Sequence, residues 1–364
     1  MMQTFSAQAP KAVVMVRPHF FASNPDTMQD NVFQSAGPIE SVAATAIAAR
    51  DEVTAMAGKL EAAGVRVHLF EDQTRATPDS VFPNNWFSTH AGGHVAIYPM
   101  HAANRQLERR WDIINMLKQT CRVQDVIDYS VLEQDGLNLE GTGAMVLDHV
   151  DRVAYAVRSN RTDPIALERF CTDFNFEPMV FDAADDSGRP VYHTNVLMRI
   201  GTNFAMAGLS MITDARQRAQ VMDRLAENRR VLINLSARQI REFSGNAMEL
   251  QGSRGRVLAL SSRALRALTS SQIASIKDSV EILPLDVPTI ELAGGSVRCM
   301  LAGIHLMARP VTENQYDSPS GQHQAYARAA GDIGAAGCGP SASGCRPAFE
   351  TACLPQLNTE MTSP

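Results

Sequence analysis

Ala12-Val13-Val14-Met15-Val16-Arg17, read with the alanine-rich run over 42–63 and with Val65-Arg66-Val67-His68-Leu69-Phe70, decides the fold class. The first run is apolar, short and closed by Pro18, which fits a buried strand better than a helix. The second places apolar residues at helical spacing and stops at Gly64. The third is a strand again, so the unit is strand–helix–strand. Working outward, a helix near 106–118 precedes a strand at 123–127, and a helix near 164–174 precedes one at 178–181. A helix at 215–227 precedes a strand at 231–234, and 268–277 precedes 280–283. Hairpin-like pairs lie between them, 144–147 with 153–157 and 195–200 with 204–207. Strands that pair locally and alternate with helices predict an α/β fold. No period is clean enough to claim a repeat from residue identity.

The chain has 364 residues, a net charge of -6, 45% hydrophobic and 20% charged residues, the balance of a globular protein with ample core. Mild acidity argues against nucleic acid or an anionic membrane as partner. No apolar run approaches the roughly 20 residues that span a bilayer, and residues 1–11 lack the pattern of a secretory signal. Six cysteines are too sparse for a disulfide framework, and no zinc-type cluster appears, so the expectation is a reduced, cytoplasmic protein without metal. Composition changes near Pro310. Residues 1–310 read as one catalytic domain, and 311–364, rich in Gly, Ser, Ala, Pro, Gln and Thr, as a low-complexity, disordered tail holding three of the cysteines.

Four segments set polar residues beside strand-like runs. Thr77-Pro78-Asp79-Ser80-Val81-Phe82-Pro83-Asn84-Asn85-Trp86-Phe87 reads as a turn leading into a strand, then two amides and an aromatic. Leu139-Glu140-Gly141-Thr142-Gly143 puts one carboxylate at a glycine turn. Tyr192-His193-Thr194-Asn195 precedes an apolar run. Gly294-Gly295-Ser296-Val297-Arg298-Cys299-Met300 brings backbone and a cation close to a cysteine. Singly each has a plain reading: a small buried thiol, a hydrogen-bonded histidine, a turn-capping carboxylate, a turn pair of asparagines. Gly141-Thr142-Gly143 lacks the lysine of a phosphate loop. Together they offer a nucleophile in Cys299, a base in His193 and an orienting carboxylate in Glu140, whose separation along the chain is no obstacle.

The set resembles the guanidino-group-modifying superfamily of arginine deiminases, dimethylargininases and amidinotransferases. Pro78-Asp79-Ser80-Val81-Phe82, Glu140-Gly141 and Ser159-Asn160-Arg161-Thr162 are similar to dimethylargininase segments. The runs PNNWFSTH from Pro83, LEGTG from Leu139, YHTNV from Tyr192, GNAMEL from Gly245 and RCM from Arg298 resemble, in this order, the citrulline-utilization hydrolases. The resemblance covers roughly residues 11–309; each motif alone is weak, and the set is specific. It implies a pentein fold, five ββαβ-type modules about a pseudo-fivefold axis with the active site in the central channel. It also implies a mechanism. The Cys299 thiolate attacks the planar carbon of a guanidinium or ureido group, His193 protonates the leaving nitrogen, and water activated by His193 releases the adduct. Glu140 holds His193 or a substrate nitrogen. Arg161, and with less support Arg105, pairs with the α-carboxylate of an arginine- or citrulline-like substrate. No cofactor is implied.

The departures bear on substrate. Relatives place carboxylates where this chain has Asn84 and Asn85; the glycine turn lacks its aspartate; and His193-x-Asn195 replaces His-x-Asp. Fewer carboxylates favour a neutral ureido head, whose C=O and NH2 suit amides. The expectation is citrulline hydrolysed to ornithine, ammonia and carbon dioxide, with Asp79 as one remaining anionic contact. The alternatives are an arginine deiminase, a dimethylargininase or an amidinotransferase. A different class, a catalytically dead scaffold with the same fold, is disfavoured by the intact Cys299, His193 and Glu140. The oligomeric state stays open, a homodimer being one option.

Overall fold

The computed structural model describes residues 6–28, 30–35 and 41–310. The stretch assigned to a disordered tail, 311–364, lies outside the described residues. Among the described residues, fifteen short strands form five three-stranded sheets of one design. Strands β1 (Ala12–Pro18) and β2 (Arg66–Asp72) run parallel across the helix Val42–Ala62. The second sheet holds β3 (Phe87–His90), β4 (His94–Ile97) and β5 (Asp125–Asp128), and the third β6 (Met145–Asp148), β7 (Val153–Val157) and β8 (Glu177–Phe181). The fourth holds β9 (Met198–Ile200), β10 (Phe204–Ala207) and β11 (Val231–Asn234), and the fifth β12 (Met248–Gln251), β13 (Arg256–Ser261) and β14 (Glu281–Leu285). Strand β15 (Ala302–Gly303) pairs antiparallel with β1, so the first sheet is stitched from both ends of the folded region.

In every sheet the middle strand pairs antiparallel with one neighbour and parallel with the other. The parallel pair needs a crossover, and helices at Trp111–Thr120, Pro164–Phe174, Ala215–Ala226 and Ser270–Lys277 supply it in the later modules. Local chemistry explains these helices. Asp163 caps the backbone N–H groups of Ile165 and Ala166 with Pro164 at the first turn, Asp214 caps the next helix, and Thr269 with Gln272 forms a capping box. Helix Val42–Ala62 buries Val53, Met56 and Leu60 at three- and four-residue spacing, each contributing roughly 1.5–3 kcal/mol; Leu60→Ala would open that seam.

The α/β reading and the five-module pentein architecture match this structure. Two hairpins went unread in the sequence, β3–β4 and β12–β13. The helix placed near 106–118 begins at Trp111 after a separate turn, Ala103–Gln106. The run 195–200 is not a continuous strand: Thr194–Leu197 is one helical turn, and β9 starts at Met198. Pro83–Asn85 is likewise a helical turn, because Pro83 presets the first dihedral and Trp86 N–H closes back on the Pro83 carbonyl.

These turns place the chemistry. Asn84 and Asn85 precede β3, Glu140 precedes β6, His193 and Asn195 precede β9, Asn246 precedes β12, and Cys299 precedes β15. Each module therefore delivers polar side chains from the residues just before its antiparallel edge strand.

Candidate active site

Cys299 is buried, at 3% exposure. Its Sγ accepts two hydrogen bonds, from Asn195 Nδ2 and from Asn246 Nδ2, each at 3.2 Å. Asn246 is itself locked, with Oδ1 accepting from Arg298 N at 3.0 Å and Nδ2 also donating to the Asn195 carbonyl. Two amide donors thus converge on one sulfur. The neighbouring cation is aimed elsewhere: Arg298 donates through Nη1 to the Leu301 carbonyl, and its guanidinium lines a separate cavity.

Two residues before Asn195, His193 Nε2 lies 2.8 Å from Glu140 Oε2. A carboxylate only accepts, so Nε2 carries the proton and Nδ1 keeps its lone pair. Burial, opposed by Glu140, pulls the imidazole down to about 4, so it is neutral near pH 7. Burial alone would raise the Glu140 carboxyl, but Arg161, the His193 hydrogen bond and Arg105 outweigh it and hold it far below the usual range. Gly141 has φ of +46°, and a Cβ there would meet the Asn84 carbonyl at 2.6 Å. A Cβ on Gly143 would stand 2.1 Å from Asn85 Nδ2 and 2.9 Å from the His193 ring. The glycines of this turn thus let Glu140, Asn85 and His193 close on one another.

The two asparagines part company. Asn85 is consumed by the fold: its Oδ1 accepts from Arg105 Nη2 at 3.3 Å and its Nδ2 donates to the Glu140 carbonyl at 3.5 Å. Asn84 Nδ2 reaches Thr142 Oγ1 at 3.4 Å, but its buried Oδ1 has no partner. Asp79 receives Asn24 Nδ2 on Oδ2 at 2.7 Å and leaves Oδ1 unpartnered; burial raises its pKa, against the pull of Arg105. Asn195 Oδ1 and Ser80 Oγ are also buried without partners.

Arg105 does not stand free for a substrate carboxylate. Its Nε and Nη2 donate to the two oxygens of Glu108 at 2.8 and 2.9 Å, and Glu140 and Asp79 lie at 3.5 and 3.8 Å. Arg161 presents Nε to Asp30 at 3.0 Å, faces Glu140 at 3.5 Å, and lies over the Tyr192 ring. Glu108, Asp30 and Asn246 escaped the sequence reading. Asn246 lay inside the quoted GNAMEL run without a role. Glu108 had one available signal, its (i, i+3) spacing from Arg105. Burial pushes Glu108 up to about 7 in spite of Arg105. Among the described residues no cluster of His, Cys, Asp or Glu could hold a metal, and no helix is long and apolar enough to cross a membrane.

Solved structures share the fold at low identity. The N-terminal domain of ArgZ, an arginine dihydrolase from the ornithine–ammonia cycle in cyanobacteria, aligns at 15% identity and TM-score 0.61, over 80% of this chain and 97% of that domain. Against full-length ArgZ the chain spans only 39% of the relative's length, at 14% identity, TM-score 0.59 and 80% of this chain. A dimethylarginine dimethylaminohydrolase in adduct with S-methyl-L-thiocitrulline aligns at 13% identity and TM-score 0.55, over 81% of this chain and all of that one. No curated protein sequence matches. The family model for eukaryotic N,N-dimethylarginine dimethylhydrolase matches residues 17–306, and with that match the chain belongs to this family of cysteine-dependent C–N hydrolases, within the guanidino-group-modifying superfamily.

Proposed function

We propose that this protein hydrolyses a C–N bond in the guanidino group of an arginine-type amino acid through a covalent adduct on Cys299. The observation that carries this reading is the doubly amide-held Cys299 sulfur, one of whose donors, Asn195, stands two residues along the chain from the His193–Glu140 pair. Neutral His193 takes the thiol proton at Nδ1, and Sγ attacks the guanidino carbon. The tetrahedral adduct collapses as His193 returns the proton to the departing nitrogen. His193 then deprotonates a water that attacks the same carbon, and the C–S bond breaks to restore the thiol. Glu140 keeps the imidazole in the productive tautomer and stabilises its charged form, acting as a positioning residue.

The head group is chosen by what surrounds it. Asp79 Oδ1, Asn84 Oδ1 and Asn195 Oδ1 are buried acceptors that lack donors. A guanidinium carries five N–H donors and no acceptor. The carboxyl groups of Asp30, Asp79, Glu108 and Glu140 interlock with the guanidiniums of Arg105 and Arg161, and burial raises Asp79 and Glu108, the state in which an incoming cation would be welcomed as a counter-charge. Arg161 is the group for the substrate's α-carboxylate, which would take over the donors now held by Asp30; Arg105 organises the acidic wall.

A second reading, citrulline, rests on the amide of Asn84, which offers an acceptor and a weakly engaged donor to a ureido group. Incubating the purified protein with arginine, dimethylarginine or citrulline, and assaying citrulline, ornithine, ammonia and dimethylamine, separates the two. Turnover of citrulline alone would overturn the guanidino reading; turnover of none of the three would overturn both.

A further inference from the structure

A second polar cavity lies away from the Cys299 sulfur. Residues of three edge strands line it, Val146 and Leu147 of β6, Arg199 of β9 and Glu249 of β12, together with Arg298, His149 and His305. Its volume is about 40 Å³. On that measure one water occupies roughly 10–15 Å³, so the space takes a small ion with a water or two and excludes an amino acid.

Its charges do not balance. Arg199 is 3% exposed, and its Nε and Nη1 are buried without any acceptor; only Nη2 is used, donating to the Ile200 carbonyl at 3.2 Å. Arg298 adds a second guanidinium, engaged once, by the Leu301 carbonyl. The lining holds one carboxylate, Glu249, against two guanidinium groups: Oε2 accepts from Thr202 N and Oγ1 at 2.7 and 2.8 Å, while Oε1 faces Arg256 at 3.5 Å without a hydrogen bond, and its charge also attracts Arg199. The rings of His149 and His305 stack at 4.0 Å and are kept neutral by burial, so they neither add to the positive charge nor offset it. A buried guanidinium with unsatisfied donors is costly unless something supplies acceptors and negative charge. Orphaned buried groups of this kind commonly mark a water or an ion.

We propose that this cavity binds one small monovalent inorganic anion, a halide or bicarbonate, between the guanidinium groups of Arg199 and Arg298. The anion accepts the free Nε and Nη1 donors of Arg199. Because Arg298 N donates to Asn246, whose amide holds the Cys299 sulfur, the anion also braces the turn that carries the nucleophile.

The test is thermal unfolding of the full chain at constant ionic strength, exchanging sodium gluconate for sodium chloride or for sodium bicarbonate. The expected result is a saturable rise in Tm with chloride, bicarbonate or both, the two arms telling which anion the site prefers. In Arg199→Met the half-saturating concentration should rise at least about tenfold, the loss of one charged hydrogen-bonding partner. Should that variant fail to fold, bromide soaked into wild-type crystals supplies the second readout, an anomalous peak beside Arg199. A Tm that is the same in all three salts overturns the proposal, as do bromide crystals with no peak in the cavity when chloride is the anion that raises Tm.

Discussion

The molecule buries two polar regions on opposite plans. Around Cys299, guanidinium and carboxylate groups interlock: Arg105 with Glu108, Arg161 with Asp30, and both against Glu140. The orphaned atoms there are nearly all acceptors. Around Arg199 two guanidinium groups face one carboxylate, and the orphaned atoms are two guanidine donors against a single acceptor, Glu249 Oε1. The difference teaches what each region lacks: the first wants a ligand rich in N–H, the second a ligand that only accepts. Neither is visible in overall composition, since a net charge of -6 hides an acidic pocket and a basic one alike.

Four experiments break or sharpen that contrast. Cys299→Ala should lower kcat/KM by roughly 10⁴–10⁶-fold while leaving Tm nearly unchanged, as for removal of a covalent nucleophile. Activity that survives this change would detach the first region from chemistry altogether. Glu140→Gln comes next: a fall in kcat of about 10²–10⁴-fold is expected when the base loses its orienting carboxylate, with KM moving less. A loss confined to Tm would make Glu140 merely structural. Arg105→Met should destabilise by about 3–5 kcal/mol, because Glu108 and Glu140 would lose their shared partner in the interior. Arg199→Met, compared in gluconate, should cost far less, since it removes a charge with two unsatisfied donors and no ion pair closer than its electrostatic pull from Glu249; equal losses in denaturant titrations would erase the distinction between the regions.

The smallest effect is on pH. His193 titrates near 4 in the folded chain, against about 6.5 when unfolded. A depressed histidine leaves the native state with fewer protons, so its contribution is full above pH 6.5 and is lost as pH falls towards 4. Wild type should therefore lose more Tm than His193→Gln across that window, and matching curves would argue that the imidazole is not held neutral.

The fold was legible where elements are long or strongly apolar. Ala12–Pro18 and Val42–Ala62 announce themselves, and the resemblance carried the closed arrangement that spacing alone does not specify. The β3–β4 hairpin was missed because four-residue strands such as Phe87-Ser88-Thr89-His90 hold too few residues for a period-two pattern to stand out. The turn ahead of β9 reads as strand in the sequence because its apolar residues, Val196 and Leu197, pack into the core as strand residues do. In the site, Cys299, His193 and Glu140 could be nominated by type and motif. The substrate reading leaned on Asn84 and Asn85 as substitutes for carboxylates. Glu108 and Asp30 restore acid to the same place from other parts of the chain, which moves the preferred head group back towards a cation. That compensation is a three-dimensional fact, and no local pattern encodes it.

Strand β15 completes the first sheet by pairing with β1, across almost the whole length of the folded region, and Cys299 stands just ahead of it. A ribosome making this chain releases four sheets' worth of sequence before the nucleophile appears. On the proposed roles, the Cys299 thiol joins His193 only when the last seam shuts, and a chain lacking that seam is expected to be inactive. In that case assembly and activation are one event.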